Sequence, residues 1–344
     1  MSLKIATVGC GYFSRFHHEA WQRLAISKKL DLTGVCDIEP ARAERFCQRY
    51  GFSRSFSDLE KMIEVSEPDL IDLIVPPSEH LRSVELCALA GIDVICQKPF
   101  AQTYLEAQSA AALVKKHNIR LVVHENFRFQ PWYRQLKQLL IENHLGEIYQ
   151  CRFALRPGDG QGEAAYMDRQ PYFQQMPEFL IRETGIHFID VFRYLFGPVD
   201  QVWADLQQLN PAIAGEDSGL FILRHQNNVR SVFDGNRLAD HVATNRRLTM
   251  GELLLEGSDG SIALDGDGRL WHRRHGKNQS SEFDYNWTES GFGGDCVYSL
   301  QQHVIEHFLT GSPLENEISS YLSNLSCQDA VYRSNQSGQW QVPD

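Results

Sequence analysis

The chain has 344 residues, enough for two domains with substantial cores, and 42% hydrophobic with 22% charged residues is ordinary for a soluble globular protein. A formal charge of −11 without any Lys/Arg-rich run excludes the usual nucleic-acid binders, and no apolar run is long enough to span a bilayer. Cysteines at 10, 36, 47, 87, 96, 151, 296 and 327 form no C-x-x-C pair, so they read as small core residues of a reducing, cytoplasmic compartment, not as disulfides or a zinc site.

Residues 3–9 (LKIATVG) lead straight into an apolar run, which predicts a buried parallel strand and no secretory leader. Gly9-Cys10-Gly11-Tyr12-Phe13-Ser14 follows and opens a helical stretch, giving G-x-G-x-x-S. Gly9 permits the tight turn, Gly11 lets the backbone approach a pyrophosphate, and a small residue at 14 allows close helix–strand packing. The next strand, residues 30–36, ends at Asp37, whose carboxylate can accept from an adenosine ribose and would repel a 2′-phosphate. That favours NAD over NADP, although Arg42 lies close enough to soften the penalty. The alternation then continues. Helices are expected at 59–65, 79–90 and 105–117, and strands at 69–75, 93–96 and 119–124, with Pro76-Pro77 closing the first of these. Strands alternating with helices predict a doubly wound parallel sheet over residues 1–124. Lys98, held before Pro99 at the end of its strand, lies on the same sheet edge as the glycine turn.

After residue 124 the alternation breaks. A helix at 131–143 and a strand at 147–155 precede a Gly-rich stretch at 156–162. From 199 onward come strands at 199–207, 218–225, 229–236, 248–256, 261–263 and 269–273, joined by turn signals such as Asn227-Asn228 and Asp267-Gly268. These predict an α+β second domain, 125–344, built on a large, mainly antiparallel open sheet. Helices return at 298–309 and 319–334. One face of such a sheet can meet another copy, so a homodimer or homotetramer is expected through it.

Residues 182–195 read as one helix stopped by Gly197-Pro198. At 100° per residue, Glu183, His187, Asp190 and Tyr194 share roughly 60° of arc, framed by apolar neighbours. Glu183 can orient the imidazole of His187 across i,i+4, and a histidine suits removal of a hydroxyl proton during hydride transfer. The pair equally fits a buried structural hydrogen bond, or half of a metal site completed by His124 or Glu125. With a dinucleotide fold and Lys98 in the same chain, catalysis is the reading adopted, without a metal.

These motifs together resemble the glucose–fructose oxidoreductase/inositol dehydrogenase (Gfo/Idh/MocA) family nearly end to end. They are the glycine turn at 9–14, Pro77-x-x-His80, Gln97-Lys98-Pro99, Asn126-x-Arg128, Glu183-x-x-x-His187 with Asp190, and the final Asp329-Ala-Val-Tyr-Arg-Ser334. The resemblance implies NAD(P)-dependent hydride transfer at a hydroxyl or keto carbon of a sugar, cyclitol or sugar acid. It implies catalytic roles for Lys98, His187 and Glu183. It also implies cofactor contacts from Gly9, Gly11, Tyr12, Phe13, Ser14, Asp37, Pro76, His80, Gln97 and Lys98. Gln97 stands where the family usually has a glutamate, and Glu183 where it usually has an aspartate. Arg128, Arg156, Arg169 and Arg182 are candidates to clamp a sugar carboxylate, and Asn126 and Tyr172 to bind sugar hydroxyls. Two rival functions come with the family: a non-enzymatic NAD-binding regulator of sugar metabolism and an NAD-dependent glycosidase.

Overall fold

The apolar runs of the first third become short strands whose side chains are buried on both faces, as helices covering both sides of a sheet require. The computed structural model describes residues 2–28 and 30–344. By contact density the chain divides into two units. One runs to Asn126 and takes in Val297–Leu322; the other comprises Phe127–Cys296 and Ser323–Asp344.

In the first unit β1 (Leu3–Val8), β2 (Leu30–Cys36), β3 (Ser55–Phe56), β4 (Leu70–Leu73), β5 (Asp93–Gln97) and β6 (Leu121–His124) form a sheet in the order β3-β2-β1-β4-β5-β6. Every pairing is parallel. This is the doubly wound order whose switch point, between β1 and β4, is the usual ligand crevice. The strands are linked by α1 (Ser14–Ser27), α2 (Pro40–Tyr50), α3 (Leu59–Ser66), α4 (His80–Leu89) and α5 (Tyr104–His117). Their boundaries have local causes. Asp58 caps α3 by accepting from the Lys61 amide, Thr103 caps α5 through the Glu106 amide, and Pro40 opens α2, which ends at left-handed Gly51. β3 was not expected from the sequence, since two residues at a sheet edge leave no periodic trace.

The second unit begins with a short 3-10 turn, Phe127–Phe129, and α6 (Pro131–Ile141). Its sheet contains β7 (Ile148–Leu155), then, after α7 (Ile186–Phe196), β8 (Val199–Gln207), β9 (Ser218–His225), β10 (Arg230–Asn236), β11 (Gly251–Gly257), β12 (Gly260–Leu264), β13 (Leu270–Arg274) and β14 (Ser281–Phe283). The order is β14-β13-β12-β11-β7-β10-β9-β8, antiparallel throughout except for the parallel β7–β10 pair. The inner face carries the core: Phe188 of α7 stacks on Phe153 at 3.9 Å and lies 5.4 Å from Phe233, which stacks on Phe221. The outer face is different. Cross-strand register aligns Trp203, Ile222, Val232, Arg152, Leu254, Ala263 and Trp271 in one row, none of them fully buried. The chain closes with α8 (Cys296–Thr310) and α9 (Ile318–Ser337).

A single division at 124 is what the sequence predicts; in the structure residues Val297–Leu322 group with the first unit. Chain order alone carries no sign of that return. The helix expected from 182 is also two pieces. Leu180–Gly185 is a wide π-helical turn, and α7 starts only at Ile186.

Candidate active site

In the first unit the carboxyl ends of β1, β2, β4 and β5 bring the predicted cofactor residues to one sheet edge. Gly9 has φ +101° and donates its amide to the Cys36 carbonyl at 2.8 Å; a Cβ there would stand 2.3 Å from the Ile74 carbonyl oxygen. Only glycine fits. At Gly11 a Cβ would meet no atom within 4 Å, so the protein itself leaves clear the space that a pyrophosphate needs above that backbone. Ser14 does more than stay small, because its hydroxyl donates to the Gly11 carbonyl at 2.8 Å and ties the turn to the start of α1. Tyr12 is 41% exposed beside the Arg15 guanidinium, and Phe13 packs edge-on against His17.

Asp37 is buried after β2. One carboxylate oxygen accepts the Cys10 amide at 2.8 Å and the other the Glu39 amide at 2.9 Å, while Arg42 stands 3.7 Å away. Each oxygen keeps a lone pair, so the residue can still accept from a ribose. Pro76 follows β4 and leads into a 3-10 turn. The buried His80 ring bridges two loops, with Nδ1 at 2.8 Å from the Phe100 carbonyl and Nε2 at 2.9 Å from that of Val75. Burial pulls the His80 ring below the ordinary imidazole range, against the pull of those two carbonyls. His80 thus ties the loop after β4 to the segment after Lys98. Lys98 itself is half-buried, and its peptide bond to Pro99 is cis. Gln97, at the end of β5, bonds both to the Lys98 amide and to His17. Asn126 is buried just beyond β6.

In the second unit His187 is 4% exposed near the start of α7, its ring stacked on Phe127 with centroids 3.8 Å apart and planes 1° from parallel. Glu183 is half-buried in the π-helical turn, so its spacing to His187 departs from the α-helical arc expected of it. Burial and the nearby Glu183 carboxylate push the Tyr172 phenol upward. Asp190 is fully buried. It is gripped by Arg128 through Nε at 2.8 Å and Nη2 at 2.6 Å, and its Oδ1 also accepts from Asn324. Removing one partner of such a pair strands the other. Arg128→Met is expected to lower stability by about 3–5 kcal/mol, read by urea denaturation, and an unchanged midpoint would contradict that.

Each of the four candidate arginines pairs with a carboxylate of the chain. Arg156 pairs with Asp234 at 2.8 Å, Arg169 with Asp159 at 2.5 Å, Arg182 with Glu178, and Arg128 with Asp190. Asp159 also takes the buried Arg237, which donates to Tyr166 at 2.7 Å and to Thr184 at 2.7 Å. Burial opposes the charge on Asp159, but the two guanidiniums outweigh it and hold its carboxyl below the usual range. The sequence reading missed Arg237, Asp159 and the His17–Asp72 pair. Only Asp72 left a signal, as a charge inside an apolar strand. Among the described residues, no group of three His, Cys, Asp or Glu side chains is arranged to hold a metal ion.

A doubly wound sheet with an open glycine turn and an acidic residue after β2 defines a dinucleotide-binding protein, here followed by a unit with a broad mixed sheet. Residues 3–125 match the oxidoreductase family with an NAD-binding Rossmann fold, and residues 133–263 match the GFO/IDH/MocA C-terminal domain. The chain belongs to the Gfo/Idh/MocA oxidoreductase family. It is similar to the D-apiose dehydrogenase of Paraburkholderia graminis, with 30% identity over 97% of this chain and 88% of that one. The D-apiose dehydrogenase of Rhizobium rhizogenes is 28% identical over 98% of this chain and 96% of its own. Among solved structures, an oxidoreductase from Agrobacterium radiobacter, determined with NAD+, L-tartaric acid and magnesium, superposes with a TM-score of 0.88. It is 26% identical and covers 99% of this chain and 98% of its own.

Proposed function

We propose that this protein is an NAD-dependent dehydrogenase that oxidises a hydroxyl of a neutral sugar or polyol, with a D-apiose-like pentose as the first substrate to test. The observation that carries this reading is Lys98, set at the carboxyl edge of β5 alongside the open turn at Gly9–Gly11 and the acidic Asp37. The end-to-end likeness to two D-apiose dehydrogenases supports the sugar class. Neutrality is supported by the four arginines named above, each already holding a carboxylate of the chain.

In this reading NAD+, when bound, supplies the hydride acceptor. The Gly9–Ser14 turn and the start of α1 receive its pyrophosphate, and Asp37 receives the adenosine ribose. Tyr12, Phe13, Pro76 and His80 shape the neighbouring edge. Lys98 positions the substrate hydroxyl and stabilises negative charge developing on its oxygen. His187 takes the hydroxyl proton, Glu183 steers that proton's removal, and Asn126 and Tyr172 bind sugar hydroxyls. Arg128 and Arg169 remain candidates for substrate contact through guanidinium hydrogens not used by Asp190 and Asp159.

A panel of sugars and polyols with NAD and NADP in parallel tests the reading. Net NADH formation with a neutral sugar, and weaker use of NADP, is the expected result. Glycoside cleavage without net NADH would instead indicate the hydrolase, and tight NAD binding with neither reaction the regulator.

Two further properties belong to the proposal. Eight free cysteines, all but Cys47 buried, support a cytoplasmic setting, and no helix among the described residues is long and apolar enough to cross a membrane. The row from Trp203 to Trp271, apolar except for the exposed Arg152, supports assembly into a homodimer or homotetramer through the outer face of the second sheet. Trp203→Glu with Ile222→Glu is expected to convert an oligomer to monomer in sedimentation velocity. A wild-type chain that already sediments as a monomer would overturn that assignment.

A further inference from the structure

The first unit buries a polar chain of side chains that the reaction scheme above does not use. Asp72 of β4 is 0% exposed, and its Oδ2 accepts from His17 Nδ1 at 2.8 Å, Trp21 Nε1 at 2.8 Å and Gln301 Nε2 at 3.2 Å. Burial opposes its ionisation, and the hydrogen bonds it accepts from His17 and Trp21 favour it. On the other side of the ring, His17 Nε2 lies 2.9 Å from Gln97 Nε2, and Gln97 Oε1 lies 2.7 Å from the Lys98 amide.

The directions of these bonds follow from one fixed donor. The Lys98 amide can only donate, so the side-chain atom facing it must be the Gln97 oxygen. The Gln97 NH2 therefore faces His17, which must accept with the lone pair on Nε2. That places the single ring hydrogen of His17 on Nδ1, aimed at Asp72. Each bond in the series Asp72, His17, Gln97, Lys98 has a donor and an acceptor, and none requires a charge to change.

We propose that Asp72 and His17 are positioning residues that act through Gln97 to fix the backbone at Lys98, and that His17 serves in this role as a neutral, Nδ1-protonated ring. The inference rests on the reading that Lys98 takes part in catalysis. It also accounts for Gln97 where the family usually has a glutamate. A carboxylate at 97 has no hydrogen to offer the His17 lone pair, so two acceptors would face each other unless His17 took up a proton. The groups that face His17 are Asp72 from β4, Gln97 from β5, the His124 ring from β6 at 4.0 Å between centroids, the neighbouring His18 and the edge of Phe13. Gln301 of α8 reaches its backbone carbonyl. Of these, only Gln97 donates to the Nε2 lone pair, so the substitution at 97 removes that donor.

The test uses the full chain. Nitrogen-15 NMR of the wild type at neutral pH should show His17 as the neutral Nδ1–H tautomer; an Nε2–H tautomer or an imidazolium would overturn the proposal. In Gln97→Glu the ring should become an imidazolium between two carboxylates. The kcat of Gln97→Glu should fall below that of the wild type, and adding His17→Phe to it should lower kcat no further, because both changes break the same His17–Gln97 contact. Wild-type kcat in Gln97→Glu, or additive losses in the double variant, would count against the proposal. His17→Phe, which keeps ring volume, should lower kcat about tenfold to a hundredfold with the NAD Kd nearly unmoved. Wild-type kcat in His17→Phe beside an inactive Lys98→Met removes this inference alone. A fully active Lys98→Met removes the catalytic reading of Lys98 with it.

Discussion

Lys98→Met is expected to turn over its sugar about a hundredfold to a thousandfold more slowly than the wild type, the scale of losing one preorganised group at a developing oxyanion. Methionine matches the length of the lysine stem and leaves out the ammonium, so the change reports charge and hydrogen bonding more than shape. Several features of the cofactor edge around it are held by backbone groups. Gly9 is held by the Cys36 carbonyl, Asp37 by two backbone amides, and the Lys98 amide, not its side chain, meets Gln97. NAD affinity should therefore stay within about threefold, which separates a transition-state loss from uniform binding. Isothermal titration with NAD and steady-state kinetics on the same preparation make the comparison. A variant with wild-type kcat would remove Lys98 from the chemistry.

What could be read from the chain before folding was whatever neighbouring residues decide together. The glycine turn, Asp37 and Lys98 each sit immediately after a strand, so recognising the strand placed the residue on the ligand edge. Hairpin turns at Asn228 and Gly268, both with positive φ, were equally local. The pairing of charges was not. Arg128 finds Asp190 across 62 positions and Arg156 reaches the Asp234 carbonyl across 78, whereas only Arg182 and Glu178, four apart, form a pair that helical spacing anticipates. Apart from that pair, the partners of the four arginines are not encoded in local spacing.

The same limit hid the polar chain behind Lys98. Asp72 interrupts an otherwise apolar strand, and a carboxylate at such a position must find donors. Its donors come from 55, 51 and 229 residues away, a separation no periodicity encodes. Gln97 was legible as a departure from the family pattern, but its cause, the lone pair of His17, lies 80 residues upstream. The π-helical turn was hidden for a different reason. Glu183, His187 and Asp190 fit a 100° wheel on paper, while the glycine at 185 sits against Ile181 in a wider turn that shifts Glu183 relative to α7.

His187 is the second residue whose replacement should be severe. His187→Gln is expected to lower kcat by about a hundredfold to ten-thousandfold, the range for loss of a positioned general base, with sugar KM changing far less. The ring is buried and lies flat on Phe127, so part of any loss could come from disturbed packing. Two comparisons separate the causes. Phe127→Leu removes the stacking partner and keeps the imidazole, and it should cost much less activity than His187→Gln. His187→Ala opens space beside Phe127, and added imidazole should restore turnover in proportion to its unprotonated fraction, because a free base can then accept the proton that His187 took. Glutamine has no such vacancy and should gain nothing from imidazole. Equal losses in Phe127→Leu and His187→Gln, with no rescue of His187→Ala, would assign His187 to packing and leave the hydroxyl proton to another base.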